Sequence, residues 1–156
     1  MGDIKLLKIG DKAPDFTLKD QDDNSVSLSD FKGKKIVLWF YPKANTPGWT
    51  IQGKGFRDEF QTFENKNIQI LGCSADPVKK QKKFCEKQGF QYPLLSDESH
   101  AMLENYGVWG KKKFMGREYM GISRITYIID ENGMIEHVYE KVKTLSHAND
   151  ILNDLG

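Results

Sequence analysis

The sequence predicts an α/β protein, a mixed β-sheet flanked by helices. Three observations carry that prediction. Runs of β-favouring residues that are apolar on both faces recur along the chain, segments with helical periodicity separate them, and a turn signal near the end joins two further strands into a hairpin. At 156 residues the chain has the length of one domain and can bury roughly 68 to 70% of its unfolded surface without staples, so residues 1–156 are expected to form a single unit.

The first strand is Ile36-Val37-Leu38-Trp39-Phe40-Tyr41, which belongs at the centre of a sheet covered on both sides. Phe56, Phe60 and Phe63 then follow at i, i+4 and i+7, so residues 49–65 read as an amphipathic helix entered through Pro47-Gly48. A second strand covers residues 68–73. Asp76 is placed to cap a helix over residues 77–88, with Pro77 at its first position and Gly89 just past its end. Shorter helices are expected over residues 98–106 and 146–155. The strand at residues 125–129 runs into the turn Asp130-Glu131-Asn132-Gly133, and residues 135–139 return as its partner. Residues 110–121, with Lys111-Lys112-Lys113, read as the least regular loop, its charges a solvated face.

Composition excludes several classes. With 23 basic and 22 acidic residues the net charge is +1, so no global field favours nucleic acid or an anionic membrane, and a small neutral substrate suits the chain. No apolar run approaches the roughly 18 residues of a membrane helix, and the first residues lack a signal core, which implies a soluble, cytoplasmic protein. Met1-Gly2 is not a myristoylation site, because Leu6 stands where Ser or Thr is needed. His100, His137 and His147 show no ligand spacing with Cys73 and Cys85, so neither a metal nor another cofactor is expected. Two cysteines are too few for a secreted disulfide scaffold, and the absence of a Cys-x-x-Cys pair argues against other dithiol oxidoreductases.

The most specific stretch is Pro42-Lys43-Ala44-Asn45-Thr46-Pro47-Gly48-Trp49. Ala13-Pro14-Asp15-Phe16-Thr17-Leu18 precedes it, and Tyr92-Pro93-Leu94-Leu95-Ser96-Asp97 and Gly121-Ile122-Ser123-Arg124 follow in order. Together these motifs resemble the peroxiredoxins, and among them the bacterioferritin comigratory protein or peroxiredoxin Q subgroup. The resemblance spans nearly the whole chain. It implies a thioredoxin-like fold and a monomer that reduces hydrogen peroxide and organic hydroperoxides, with thioredoxin or a similar dithiol as reductant. In the family pattern Pro is followed by three residues, Thr or Ser, two residues and the peroxidatic cysteine. Here that last position is Trp49.

The chemistry explains why the change matters. Attack on a peroxide oxygen needs a thiolate near neutral pH, whereas a free thiol has a pKa of about 8.5; a helix N-terminus lowers it through unpaired N–H groups and the helix dipole. By resemblance, Pro42 shields the sulfur, the Thr46 hydroxyl orients the peroxide, and Arg124 stabilises the thiolate and the charge developing on oxygen. Indole has one N–H donor and no nucleophile. Trp49 is therefore expected to abolish turnover, and its bulk either to plug the pocket or to push the first helical turn outward.

Cys85, 36 residues further on, occupies the position of the resolving cysteine in one branch of the subgroup; the other branch places it where Lys54 stands. The simpler reading of Cys85 is packing on a helix face shared with Val78 and Gln81. Cys73 closes an apolar strand and reads as buried and inert. An alternative to the peroxidase lineage is a redox-inactive binding or holdase module in which Trp49 forms part of an apolar contact, helped by Lys79, Lys80, Lys82 and Lys83.

Overall fold

The computed structural model of the chain describes residues 6–42, 47–140 and 146–155, and at residues 47–49 and 114 the backbone alone. Its seven-stranded sheet is mixed. The centre is the expected apolar run, β3 (Lys35–Phe40), paired in parallel with β4 (Ile68–Ser74) so that Trp39 stands opposite Gly72 and Phe40 opposite Cys73. On its other side β3 pairs antiparallel with β8 (Thr126–Ile129), which forms a hairpin with β9 (Ile135–Tyr139). Beyond β4 lie β5 (Leu94–Ser96), parallel to it, and then the antiparallel pair β1 (Thr17–Lys19) and β2 (Ser25–Ser27).

Alternation along β3 divides the core. Ile36, Leu38 and Phe40 pack on one face with Cys73, Tyr106 and Tyr127, while Val37, Trp39 and Tyr41 pack on the other with Phe56, Phe63, Phe84, Cys85 and Ile151. The second face is covered by α1 (Pro47–Asp58), α2 (Phe60–Asn65), α3 (Val78–Gln88) and α5 (His147–Leu155). The first is covered in part by α4 (Ala101–Asn105), through Met102 and Leu103.

Several expectations change in detail. The single helix over residues 49–65 is two, broken at Glu59 (φ −98°, ψ 9°), and the bend still lets Phe56 and Phe63 meet at a ring-centroid separation of 5.9 Å. Pro77 is the N-cap of α3 rather than its first residue. The Asp76 carboxylate accepts a hydrogen bond from the Ser74 hydroxyl (2.7 Å). Gly89 closes α3 in the left-handed conformation at φ 70°, as glycine after a helix does.

The largest correction concerns residues 110–121. They are not an irregular loop but a two-stranded hairpin, β6 (Trp109–Phe114) with β7 (Arg117–Ile122), turned at Met115-Gly116, where both residues have positive φ. Its lysines conceal the strand pattern, because their long side chains satisfy an exposed ribbon as readily as a loop.

Candidate active site

The site is built where parallel strands end, the place at which open α/β sheets gather functional groups. Tyr41 and Pro42 leave β3, and α1 begins at Pro47, so position 49 lies in the first turn of a helix whose later residue Phe56 faces the core. Thr46 lies outside the described residues, as does the Trp49 side chain. Pro42 is half-buried. Arg124 stands two residues before β8, and the neighbouring Ile125 carbonyl accepts from the Phe40 N–H (3.0 Å), which fixes Arg124 beside the end of β3.

Arg124 is half-buried, and loss of hydration pulls its pKa below the ordinary value. Lys112 is lowered too, first by burial and then by the charge of Arg124. Its Nζ donates to the Ile122 carbonyl (2.9 Å). Within the lysine run, Lys111 and Lys113 are exposed while Lys112 turns inward, the period-2 signature of a strand. Lys112 is thus a cation of this neighbourhood that sequence reasoning placed on a solvated face; reading Met115-Gly116 as a turn is the signal that finds it.

Gln52, one helical turn after position 49, was also not anticipated. It is 1% exposed, and among the described residues neither polar atom of its amide has a hydrogen-bond partner.

The two cysteines lie on opposite faces of the sheet. Cys73 packs on the face away from α1, its Sγ 3.8 Å from Met102 Sδ, with its pKa pushed well up by burial and by Asp97. Cys85 packs on the α1 face, and its thiol donates to the Phe90 carbonyl (3.1 Å). Burial, with smaller contributions from Asp22, Glu86 and Asp20, pushes its pKa up to about 11, so the closed form holds a neutral, unreactive thiol.

Several contacts join α1 to the segment around Cys85, among them the Gln91 amide donating to the Arg57 carbonyl (3.2 Å). A Cβ on Gly53 would meet the Phe90 ring at 2.5 Å, the Tyr92 hydroxyl donates to the Gly53 carbonyl (3.0 Å), and Arg57 Nη1 donates to the Gln88 carbonyl (2.8 Å). The structure therefore brings the helix of position 49 and Cys85 onto one face and leaves Cys73 on the other.

Among the described residues no group of three metal-ligating side chains converges, and no helix is long and apolar enough to cross a membrane. A cavity of about 320 Å³ lies at the opposite end of β3, lined by Ile36, Ile129 and the turn after β8, remote from position 49.

The AhpC/TSA family description matches residues 9–138, and the chain belongs to that family of peroxiredoxins. Within it the chain is similar to peroxiredoxin Bcp of Escherichia coli strain K12, with 47% identity over 147 residues and 94% of each chain covered. A cysteine-to-serine mutant of Xylella fastidiosa peroxiredoxin Q superposes with a TM-score of 0.91 at 34% identity, covering 97% of this chain and 96% of that one. Xanthomonas campestris peroxiredoxin Q, solved with one or the other of two cysteines changed to serine, superposes at 0.85 with 34% identity over 90% and 89% of the two chains. The fold is thioredoxin-like, as the resemblance implied.

Proposed function

We propose that this chain is a thioredoxin-dependent hydroperoxide reductase in architecture, held without turnover by Trp49 at the position of the peroxidatic cysteine. The observation that carries the reading is the placement of position 49 in the first turn of α1, where backbone N–H groups and the helix dipole favour an anion, combined with a residue there that has no ionisable sulfur. In this reading Pro42, Thr46 and Arg124 keep the roles that the resemblance gives them, and Lys112 adds positive potential beside Arg124.

Cys85 is the resolving thiol. The two cysteines replaced in the Xanthomonas campestris structures are separated in sequence as positions 49 and 85 are here. With a cysteine at position 49, its thiolate attacks one peroxide oxygen, the O–O bond breaks, and the leaving oxygen departs as water or alcohol once protonated. The sulfenic acid then condenses with the Cys85 thiol, releasing water and forming a disulfide that a reduced dithiol protein reopens by exchange. Because the Cys85 thiol is buried, α3 must open for that step. In this reading, as the resemblance implies, the protein is a monomer of the cytoplasm.

The test is peroxide consumption coupled to thioredoxin, thioredoxin reductase and NADPH. The chain with Trp49 is expected at background and Trp49→Cys at a rate that Cys85→Ser removes. A folded Trp49→Cys protein that leaves peroxide untouched refutes the peroxidase lineage and leaves the binding or holdase module as the reading to pursue.

A further inference from the structure

We propose that Gln81 is the latch that holds α3 on the sheet, that the lysines of α3 push against it, and that Cys85 is released when this latch opens while the rest of the fold stays closed. The functional meaning of the release rests on Cys85 being the resolving thiol; the latch itself does not.

The charges of α3 work against it at its N-terminal end. Its N-cap is Pro77, which offers no side-chain cap, and its first turn holds no acidic residue. Lys79, Lys80, Lys82 and Lys83 are exposed, and Lys79 and Lys80 stand in its first turn, where the helix dipole disfavours cations. Lys79 with Lys83 is a like-charge pair at i, i+4, and Lys79 with Lys82 and Lys80 with Lys83 are like-charge pairs at i, i+3. Glu86 lies at helical spacing from Lys82 and Lys83, and Asp76, just before the N-cap, is the acidic residue nearest in sequence to Lys79 and Lys80. The helix buries Gln81, Phe84 and Cys85, and among these Gln81 makes the directional bonds to the sheet.

Gln81 is fully buried, and its amide ties the exit of β3 and the end of β4 to β5. Oε1 accepts from the hydroxyl of Tyr41, at the exit of β3 next to Pro42. Nε2 donates to Ser74 Oγ at the end of β4 (2.9 Å) and to the Leu95 carbonyl in β5 (2.8 Å). Such an amide cannot leave gradually, because any partly open state strands buried polar atoms without partners. Opening is therefore all-or-none for α3. Through Tyr41 it is coupled to the segment leading into position 49, which makes Gln81 a positioning residue for the thiol one turn further along its helix.

The two cysteines supply their own control: Cys73 reports opening of the whole core, Cys85 opening of α3. Each is followed by mass spectrometry during alkylation with iodoacetamide, a neutral reagent whose reactivity salt does not steer. In the unmodified chain Cys85 is expected to react at least roughly tenfold faster than Cys73. Gln81→Met keeps the shape but removes the hydrogen bonds, and is expected to speed Cys85 about tenfold; opening of the whole core breaks the same bonds, so Cys73 is expected to gain no more than that factor and to stay the slower of the two. Adding Tyr41→Phe to it changes the rate little, since the two share one network. Replacing both Lys79 and Lys80 by Glu, or adding 1 M potassium chloride to the unmodified chain, is expected to slow Cys85 about threefold.

Equal labelling of both cysteines in the unmodified chain overturns the proposal. So does a Cys85 rate unchanged by Gln81→Met, and so does one indifferent to the lysine replacements. None of these measurements uses peroxide, so their failure is separate from failure of the peroxidase reading.

Discussion

Acid is expected to loosen this fold through one imidazole. His147 opens α5, is 2% exposed, and shares a hydrogen bond between Nε2 and Thr126 Oγ1 (2.9 Å). Its ring stands edge-on to Phe56 of α1 at 5.6 Å and to Tyr139 at 5.3 Å. Burial pulls its pKa from 6.5 down to about 4, against a weaker opposing pull from Asp150. Above pH 6.5 the imidazole is neutral in folded and unfolded chains alike and adds no pH dependence. Below it the unfolded chain takes up a proton that the folded chain refuses, so stability falls as pH falls, and the loss levels off below the folded pKa. From those two values the loss is about 2 kcal/mol by pH 5 and about 3 kcal/mol by pH 4. Urea unfolding of the unmodified chain and of His147→Gln at pH 7, 6 and 5 isolates the effect, because carboxylates common to both cancel in the difference. The variant is expected to be weaker at pH 7 yet to lose about 2 kcal/mol less on acidification to pH 5. Parallel stability profiles refute the reasoning. Since His147 braces Phe56, the same acid step reaches the helix that carries position 49.

Two substitutions test the packing beneath the site. Phe56→Ala removes a fully buried ring that touches Trp39, Phe63, Tyr92 and His147, and is expected to cost about 3–5 kcal/mol in urea unfolding. Gly53→Ala sets a methyl group 2.5 Å from the far end of the buried Phe90 ring, which must swing aside in the residue whose carbonyl accepts from the Cys85 thiol; a loss of about 1–3 kcal/mol is expected, with faster alkylation of Cys85.

What the sequence made legible follows from how far each signal extends. The run at residues 36–41 announced a central strand because every position is buried, and α3 announced its end through Gly89 because a left-handed residue is needed there. Strands β1, β2 and β5 have three residues each, too few to show a period of two, and they exist through pairing with distant segments. Residues 110–121 were misread because an exposed ribbon needs no apolar face. Which cysteine shares a face with position 49 was legible through the resemblance, which singled out Cys85, and not from local pattern. It depends on the Phe40-to-Cys73 register of β3 and β4 and on the side of the sheet that α3 covers, neither of which is local in sequence.

The electrostatics proposed for position 49 give the Trp49→Cys variant a second readout that does not depend on turnover. Lys112 and Arg124 lie close enough for the charge of Arg124 to lower the Lys112 pKa, and both are held partly out of water, so each raises the other's electrostatic cost. A thiolate formed in the first turn of α1 gains from the dipole of that helix and, where it approaches the pair, offsets their repulsion. The introduced thiol is therefore expected to titrate below the ordinary value of about 8.5, in contrast to Cys85, which burial holds at about 11. Thiolate absorbance followed against pH in Trp49→Cys, with Cys85→Ser as background, reads it directly. Replacing Lys112 by Met is expected to move that titration upward by a few tenths of a pH unit, as loss of one partly screened cation does. An introduced thiol that ionises no more readily than a free cysteine shows that the first turn of α1 does not provide the anion-favouring environment on which the peroxidase reading depends.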